Sequence, residues 1–160
     1  LSEANQAKAS QPKPNQSFKE FEHAGWQSVA EGYHDHFGSL TRQTIEPMLD
    51  AVSAPSGQTL LDIATGPGYV AQAARERGFK VTAIDFSGEM VERARQLYPG
   101  IEFQEGDAEA LSFADKSFDR LTMNFGLLHL EKPEKALAEA FRVAKPGGKF
   151  ALTVWSTPDK

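Results

Sequence analysis

The sequence predicts an α/β protein built on a doubly wound parallel sheet. Three observations carry that prediction. From Thr59 onward, short β-branched runs alternate with helix-length amphipathic segments, which is the pattern of repeated βαβ units. The first of these strands runs through Leu60-Leu61-Asp62-Ile63 into the glycine-bearing turn Ala64-Thr65-Gly66-Pro67-Gly68 before a helix begins. Acidic or amide residues, Asp62, Asp85, Asp107 and Asn124, stand at or just beyond the ends of four different strands, where core packing gives them no purpose.

The elements follow in order. Residues Leu1 to Ser17 are polar, contain Pro12 and Pro14, and are expected to form a disordered leader before a core spanning 18–160. Phe18 to Tyr33 and Leu40 to Val52 carry apolar residues at three- and four-residue intervals, predicting two amphipathic helices. Pro55-Ser56-Gly57 breaks that pattern. Strands are then predicted at 59–64, 80–85, 101–105, 118–124 and 149–155. Helices are predicted at 68–77, closed by Gly78, at 88–97 with Ser87 as N-cap, and at 133–144 with Pro133 in the first turn and Gly147-Gly148 beyond the end. Right-handed crossovers place the strands in the order 3-2-1-4-5, with a ligand crevice at the carboxyl ends of the first and fourth strands, where the order reverses.

The glycine turn lets a backbone approach a ligand closely and aims main-chain amides at it. Asp85, one strand-helix unit later, stands where a carboxylate can accept hydrogen bonds from both hydroxyls of a ribose. Together they suggest a nucleotide-type cofactor, although a strand-end Asp also simply starts turns.

The later segments sharpen the reading. Gly106-Asp107-Ala108 after the third strand, Ser117-Phe118-Asp119-Arg120-Leu121, Met123-Asn124-Phe125-Gly126-Leu127-Leu128-His129-Leu130, and Arg142-Val143-Ala144-Lys145-Pro146-Gly147-Gly148 occur in one order. Over about residues 18 to 157 the chain resembles the class I S-adenosylmethionine-dependent methyltransferases of Rossmann-like fold. Within them it is similar to the branch that includes the ubiquinone and menaquinone biosynthesis C-methyltransferases. That resemblance implies S-adenosylmethionine as cofactor, S-adenosylhomocysteine as product and a small-molecule methyl acceptor. The resembled fold has seven strands, so the last two are expected to be absent here and the chain to be truncated at its C-terminal end.

The resemblance also implies roles. The backbone around Ala64, Gly66 and Gly68 would meet the methionine portion, with Asp62 beneath it. Asp85 would take the ribose diol, Phe86 would lie against the adenine and Met90 would wall the pocket. Asp107 would accept from the exocyclic amine, and the Ala108 amide would donate to a ring nitrogen. Asn124 would stand near the methionine end, and Tyr33 would reach the cofactor carboxylate from a lid that includes Trp26. For Phe86 and Met90, ordinary core packing is the competing reading. Ala64 occupies a position where the family usually has glycine, and Pro67 removes one amide donor from the loop.

No catalytic residue is nominated. The cofactor is already activated by its positive sulfur, so alignment supplies much of the acceleration. His129 is a candidate general base, with loop anchoring as the competing role. His34-Asp35-His36 lacks the spacing and further ligands of a metal site, so no metal is expected.

Composition narrows the alternatives. A net charge of −5 disfavours a nucleic-acid substrate, whose binding draws on clustered Lys and Arg. There is no cysteine, which excludes disulfides, thiolate metal sites and a thiol nucleophile. No run of 18 apolar residues predicts a membrane span, and a cytoplasmic protein is expected. Two other readings remain: a cofactor-binding core without turnover, and an NAD-dependent oxidoreductase. The exposed edge of the fifth strand suggests a homodimer.

Overall fold

Strands β1 (Thr59–Ile63), β2 (Lys80–Asp85), β3 (Glu102–Glu105), β4 (Phe118–Asn124) and β5 (Ala144–Thr153) form one sheet in the order β3-β2-β1-β4-β5, all pairs parallel. They belong to a computed structural model that describes residues 16–29 and 38–156 of the chain. The predicted topology is the observed one. β1 sits at the centre, with Leu60, Leu61, Asp62 and Ile63 all fully buried, because helices cover both faces of a parallel sheet.

On one face lie α3 (Ile45–Ala51), α4 (Tyr69–Glu76) and α5 (Gly88–Leu97), which enclose Leu60, Val70, Ala74, Phe79, Ala83, Val91 and Phe103. The other face is covered by α6 (Pro133–Val143), whose Ala136, Ala140 and Val143 pack on Leu61, Ile63, Leu121 and Met123. Each fully buried Leu or Ile contributes about 1.5–3 kcal/mol, so the alternation along β1 stabilises both layers. Two further helices precede the sheet: α1 (Phe18–Val29) and the single turn α2 (Gly38–Thr41).

Boundaries depart from the sequence reading most in three places, beside one-residue differences at the ends of β3, α4 and α6 and an end of β5 at Thr153 instead of 155. The second amphipathic segment is not one helix but α2, a 3-10 turn over Arg42–Thr44, and α3, because Pro47 has no N–H to give to Gln43. β1 stops at Ile63 because Ala64 turns to φ 55°. β5 begins at Ala144, which pairs with Phe118, and the ladder resumes at Lys149 opposite Arg120 after a shift in register. Lys145 in that bulge donates to Asp119, which also accepts from the Thr59 amide and hydroxyl. These donors, Thr59's N–H foremost, hold the Asp119 carboxyl down at about 2.

β5 is an edge strand of the described sheet. Among the described residues, no helix is long and apolar enough to cross a membrane.

Candidate functional site

The carboxyl ends of β1, β2, β3 and β4 meet around a cavity of about 350 Å³, within the range of small-molecule sites. Its walls include Ala64, Gly66, Asp85, Phe86, Met90, Asp107, Ala108 and Asn124. Eight of the residues expected at a cofactor are thus brought together. Asp62 and Gly68 stand behind the wall, and Tyr33, with His34, Asp35 and His36, lies outside the described residues.

The turn after β1 is built on Asp62. Its carboxylate accepts from the Thr65 hydroxyl at 2.5 Å and from the Thr122 hydroxyl of β4 at 2.7 Å, with no exposure to solvent. Burial pushes its pKa up to about 7, against the pull of those two hydroxyls. Thr65 N–H donates to the Ile84 carbonyl, which clamps the turn to β2. Gly68 serves packing: at φ 86° a Cβ there would sit 2.8 Å from the Phe103 ring. Gly66 is different, since a Cβ built on it would meet nothing within 4 Å, so its backbone borders open space.

Asp85 joins the turn to the next unit. Oδ2 accepts from the Gly66 amide at 2.8 Å and Oδ1 from the Ser87 amide at 3.0 Å. Burial pushes its carboxyl up to about 6, and those amides pull it back. Each carboxylate oxygen retains acceptor capacity, so Asp85 can still receive hydroxyl donors from the cavity. Ser87 caps α5, its hydroxyl accepting from the Met90 amide, which seats Met90 in the wall.

At the far end, Asp107 accepts the Glu109 amide at Oδ1 and the Lys19 ammonium at Oδ2, 2.5 Å away. Asn124 is held on both sides: its amide nitrogen donates to the Thr41 carbonyl, while its oxygen lies 2.8 Å from the Thr44 hydroxyl and accepts from the Thr153 hydroxyl. The Asn124 side chain therefore ties the segment before α3 to β4 and β5.

Two non-glycine residues of the wall, Ala64 and Phe125, adopt left-handed φ of 55° and 57°. Each conformation costs roughly 1–2 kcal/mol and such strain gathers at ligand sites. Phe125 stacks on Trp155 with ring centroids 4.1 Å apart, forming a flat aromatic wall.

The sequence reading missed most of the cover. α1 crosses the sheet edge and touches a loop after each of three strands. Lys19 reaches Asp107, the Gln27 carbonyl oxygen accepts from Glu89 N–H, His23 meets Phe86 edge-on, and Glu22 pairs with His129. The signal available was helical spacing, since residues 19, 22, 23 and 26 share one face. Nothing in it specified the surface that face would cover.

The site combines an apolar slot, carboxylates at two strand ends and a glycine turn at the switch point, an arrangement suited to an adenosine-bearing ligand. Residues 61–152 match the family described as methyltransferase domain. The chain is 45% identical over 118 residues to a demethylmenaquinone methyltransferase of Renibacterium salmoninarum, covering 74% of this chain and 50% of the relative. It is 39% identical over 132 residues to a ubiquinone/menaquinone biosynthesis C-methyltransferase of Bradyrhizobium diazoefficiens, covering 75% and 52%. A solved complex of the Haloferax volcanii Trm112 methyltransferase activator with a methyltransferase superposes at a TM-score of 0.76 and 29% identity, over 81% of this chain and 59% of that one. The chain spans about half the length of the relatives it matches. It belongs to the methyltransferase domain family, in the class I S-adenosylmethionine-dependent group, with its likeness directed to the quinone-methylating branch.

Proposed function

We propose that this chain binds S-adenosylmethionine and passes its methyl group to a small-molecule acceptor by direct displacement. The observation that carries the reading is the joint presence of Gly66, Asp85 and Asp107, from the loops after three successive strands, in the wall of one cavity. Bound there, the cofactor supplies a methyl group on a positively charged sulfur, already activated toward an incoming electron pair.

The chain's residues bind and orient. Asp85 accepts from the ribose hydroxyls. Phe86, Met90, Ile84 and Ala108 enclose the adenine, the Ala108 amide donates to a ring nitrogen, and Asp107 accepts from the exocyclic amine beside Lys19. Ala64 and Gly66 border the methionine end, while Asp62 holds their turn from beneath and Asn124 fixes the neighbouring segment. Tyr33 would contribute from the segment after α1.

The names of the relatives favour reduced demethylmenaquinone as a first acceptor to test. The competing reading is a cofactor-binding core without turnover. Transfer of labelled methyl to reduced demethylmenaquinone, beside calorimetric binding of S-adenosylhomocysteine, separates the two. Binding without transfer to that or other acceptors favours the second, and stabilisation by NAD instead would favour an oxidoreductase. A cytoplasmic location and a homodimer through the β5 edge belong to the same proposal. Light scattering that shows only monomer at high concentration would remove the dimer.

A further inference from the structure

Beyond the adenosine end, the cavity wall contains, among the described residues, one imidazole, that of His129, on the 3-10 turn Leu127–His129 that follows β4. Its Nδ1 lies 2.8 Å from Oε2 of Glu22 on α1, a residue 107 positions earlier in the chain. The same Oε2 accepts the indole N–H of Trp26 at 3.1 Å, and the Trp26 ring meets the imidazole edge-on at 4.8 Å. Glu22 is 15% exposed and His129 34%, so a carboxylate on the cover helix is largely withdrawn from water to meet this ring.

A carboxylate only accepts hydrogen bonds, so the ring hydrogen belongs on Nδ1, and the neutral ring keeps a lone pair at Nε2. We propose, resting on the methyl-transfer reading above, that His129 is the base that takes the acceptor's proton and that Glu22 is the positioning residue fixing its tautomer. The acceptor class is then one whose reacting atom, or a hydroxyl conjugated to it, carries a hydrogen that must leave. His129 Nε2 takes that proton. The freed electron pair forms the bond to the methyl carbon, the carbon–sulfur pair stays with sulfur, and the partly exposed imidazolium returns its proton to solvent.

The surroundings suit the task. Glu22 faces the ring from α1, Asp85 from the end of β2, and Glu131 belongs to the ring's own loop, while Lys19, Asp107 and Glu109 stand in the remaining wall. The positive charge that the ring acquires is thus met by a bonded carboxylate. A mere tether between α1 and the β4 loop would need no particular tautomer, and that difference is measurable.

Nitrogen-15 spectra of the histidines, recorded at a pH alkaline enough to leave every imidazole neutral, with and without S-adenosylhomocysteine and with His129 assigned through His129→Asn, read the tautomer directly. The expected result is hydrogen on Nδ1 and a bare Nε2 in the parent chain. Glu22→Met should move the hydrogen to Nε2, while Glu22→Gln, whose amide oxygen still accepts, should keep it on Nδ1. With the acceptor of the preceding assay, His129→Asn should lower kcat by about 100-fold or more, the scale of general-base catalysis, with KM within about threefold. Glu22→Met should lower kcat and Glu22→Gln restore most of it, and thermal melting identifies any variant that fails to fold. Hydrogen on Nε2 in the parent chain, or a tautomer indifferent to Glu22→Met, overturns the proposal whatever the cofactor result. Absence of S-adenosylhomocysteine binding would instead overturn the methyl-transfer reading, and calorimetry on the same samples tells the two failures apart.

Discussion

A Cβ on Gly126 would lie 2.6 Å from the Cβ of Ala64 and 3.1 Å from the Cγ of Met123. The methyl group that replaces the family's usual glycine in the first turn thus occupies the space of a side chain at the start of the β4 loop. Both residues line the cavity, so the contact links the two strand ends between which the sheet order reverses.

Gly126→Ala should therefore lower stability by about 1–3 kcal/mol, the range of overpacked sites. Its φ of −73° is open to any residue, so the loss comes from the contact and not from the backbone. Ala64→Gly should recover part of it, leaving the Met123 contact unrelieved. A double-mutant cycle by urea denaturation should give a coupling of about 1 kcal/mol, and simple additivity would show that the two positions do not meet.

Acid stability follows from Asp62 and Asp85. Their folded pKa values, about 7 and about 6, lie above the unfolded value of 3.8 because burial disfavours the charged form. The native state then holds more protons than the unfolded chain between these limits. Stability contributed by each group is full below about pH 4 and declines as pH rises to about 6 for Asp85 and about 7 for Asp62, by up to about 1.4 kcal/mol per pH unit for each group. Asp119, held down at about 2, acts in the opposite sense below that window, losing its contribution as pH falls. Asp62→Asn should flatten the decline between pH 4 and 7, as read from denaturation midpoints. An unchanged slope would mean that the Asp62 carboxyl is not buried as described.

Ligand binding should carry the reverse pH signature. Ribose hydroxyls donate to the ionised form of Asp85, so S-adenosylhomocysteine should bind more weakly as pH falls through about 6. Calorimetry in buffers of differing ionisation enthalpy should detect proton release on binding near that pH. No linkage there would place the ribose away from Asp85.

Lys19 and Asp107 form a half-exposed pair, 41% and 35% accessible, so its contribution to global stability is small. Lys19→Met should leave the unfolding free energy within about 1 kcal/mol of the parent while raising amide hydrogen exchange across 18–29. Protection of α1 that does not respond would show that Gln27 and Glu22 hold the cover without it.

The strands and their ends were readable because alternation, capping and punctuation agreed. Ser87 before α5, Pro133 in the first turn of α6 and Gly78 after α4 each fix a boundary by local chemistry, and four strand-end polar residues mark the crevice. What escaped is long-range. Lys19 meets Asp107 across 88 positions, and no local pattern names that partner. Ala64 and Phe125 carry none of the glycine or asparagine signal that left-handed backbone usually leaves. Pro146-Gly147-Gly148 reads as the end of a helix and the start of a turn, which conceals the Phe118–Ala144 pairing before it. Gly68, read from the sequence through its backbone, also makes room for Phe103, a residue whose proximity only the fold creates.

The most direct measurement is calorimetric titration of S-adenosylhomocysteine into the parent chain and into Asp85→Ala, with NAD as control. Saturable binding of S-adenosylhomocysteine, no heat from NAD, and a loss of more than about tenfold in Asp85→Ala through two charge-assisted hydrogen bonds are the results expected. Equal affinity in the two proteins, or binding of NAD in place of S-adenosylhomocysteine, would contradict the assignment of the cavity.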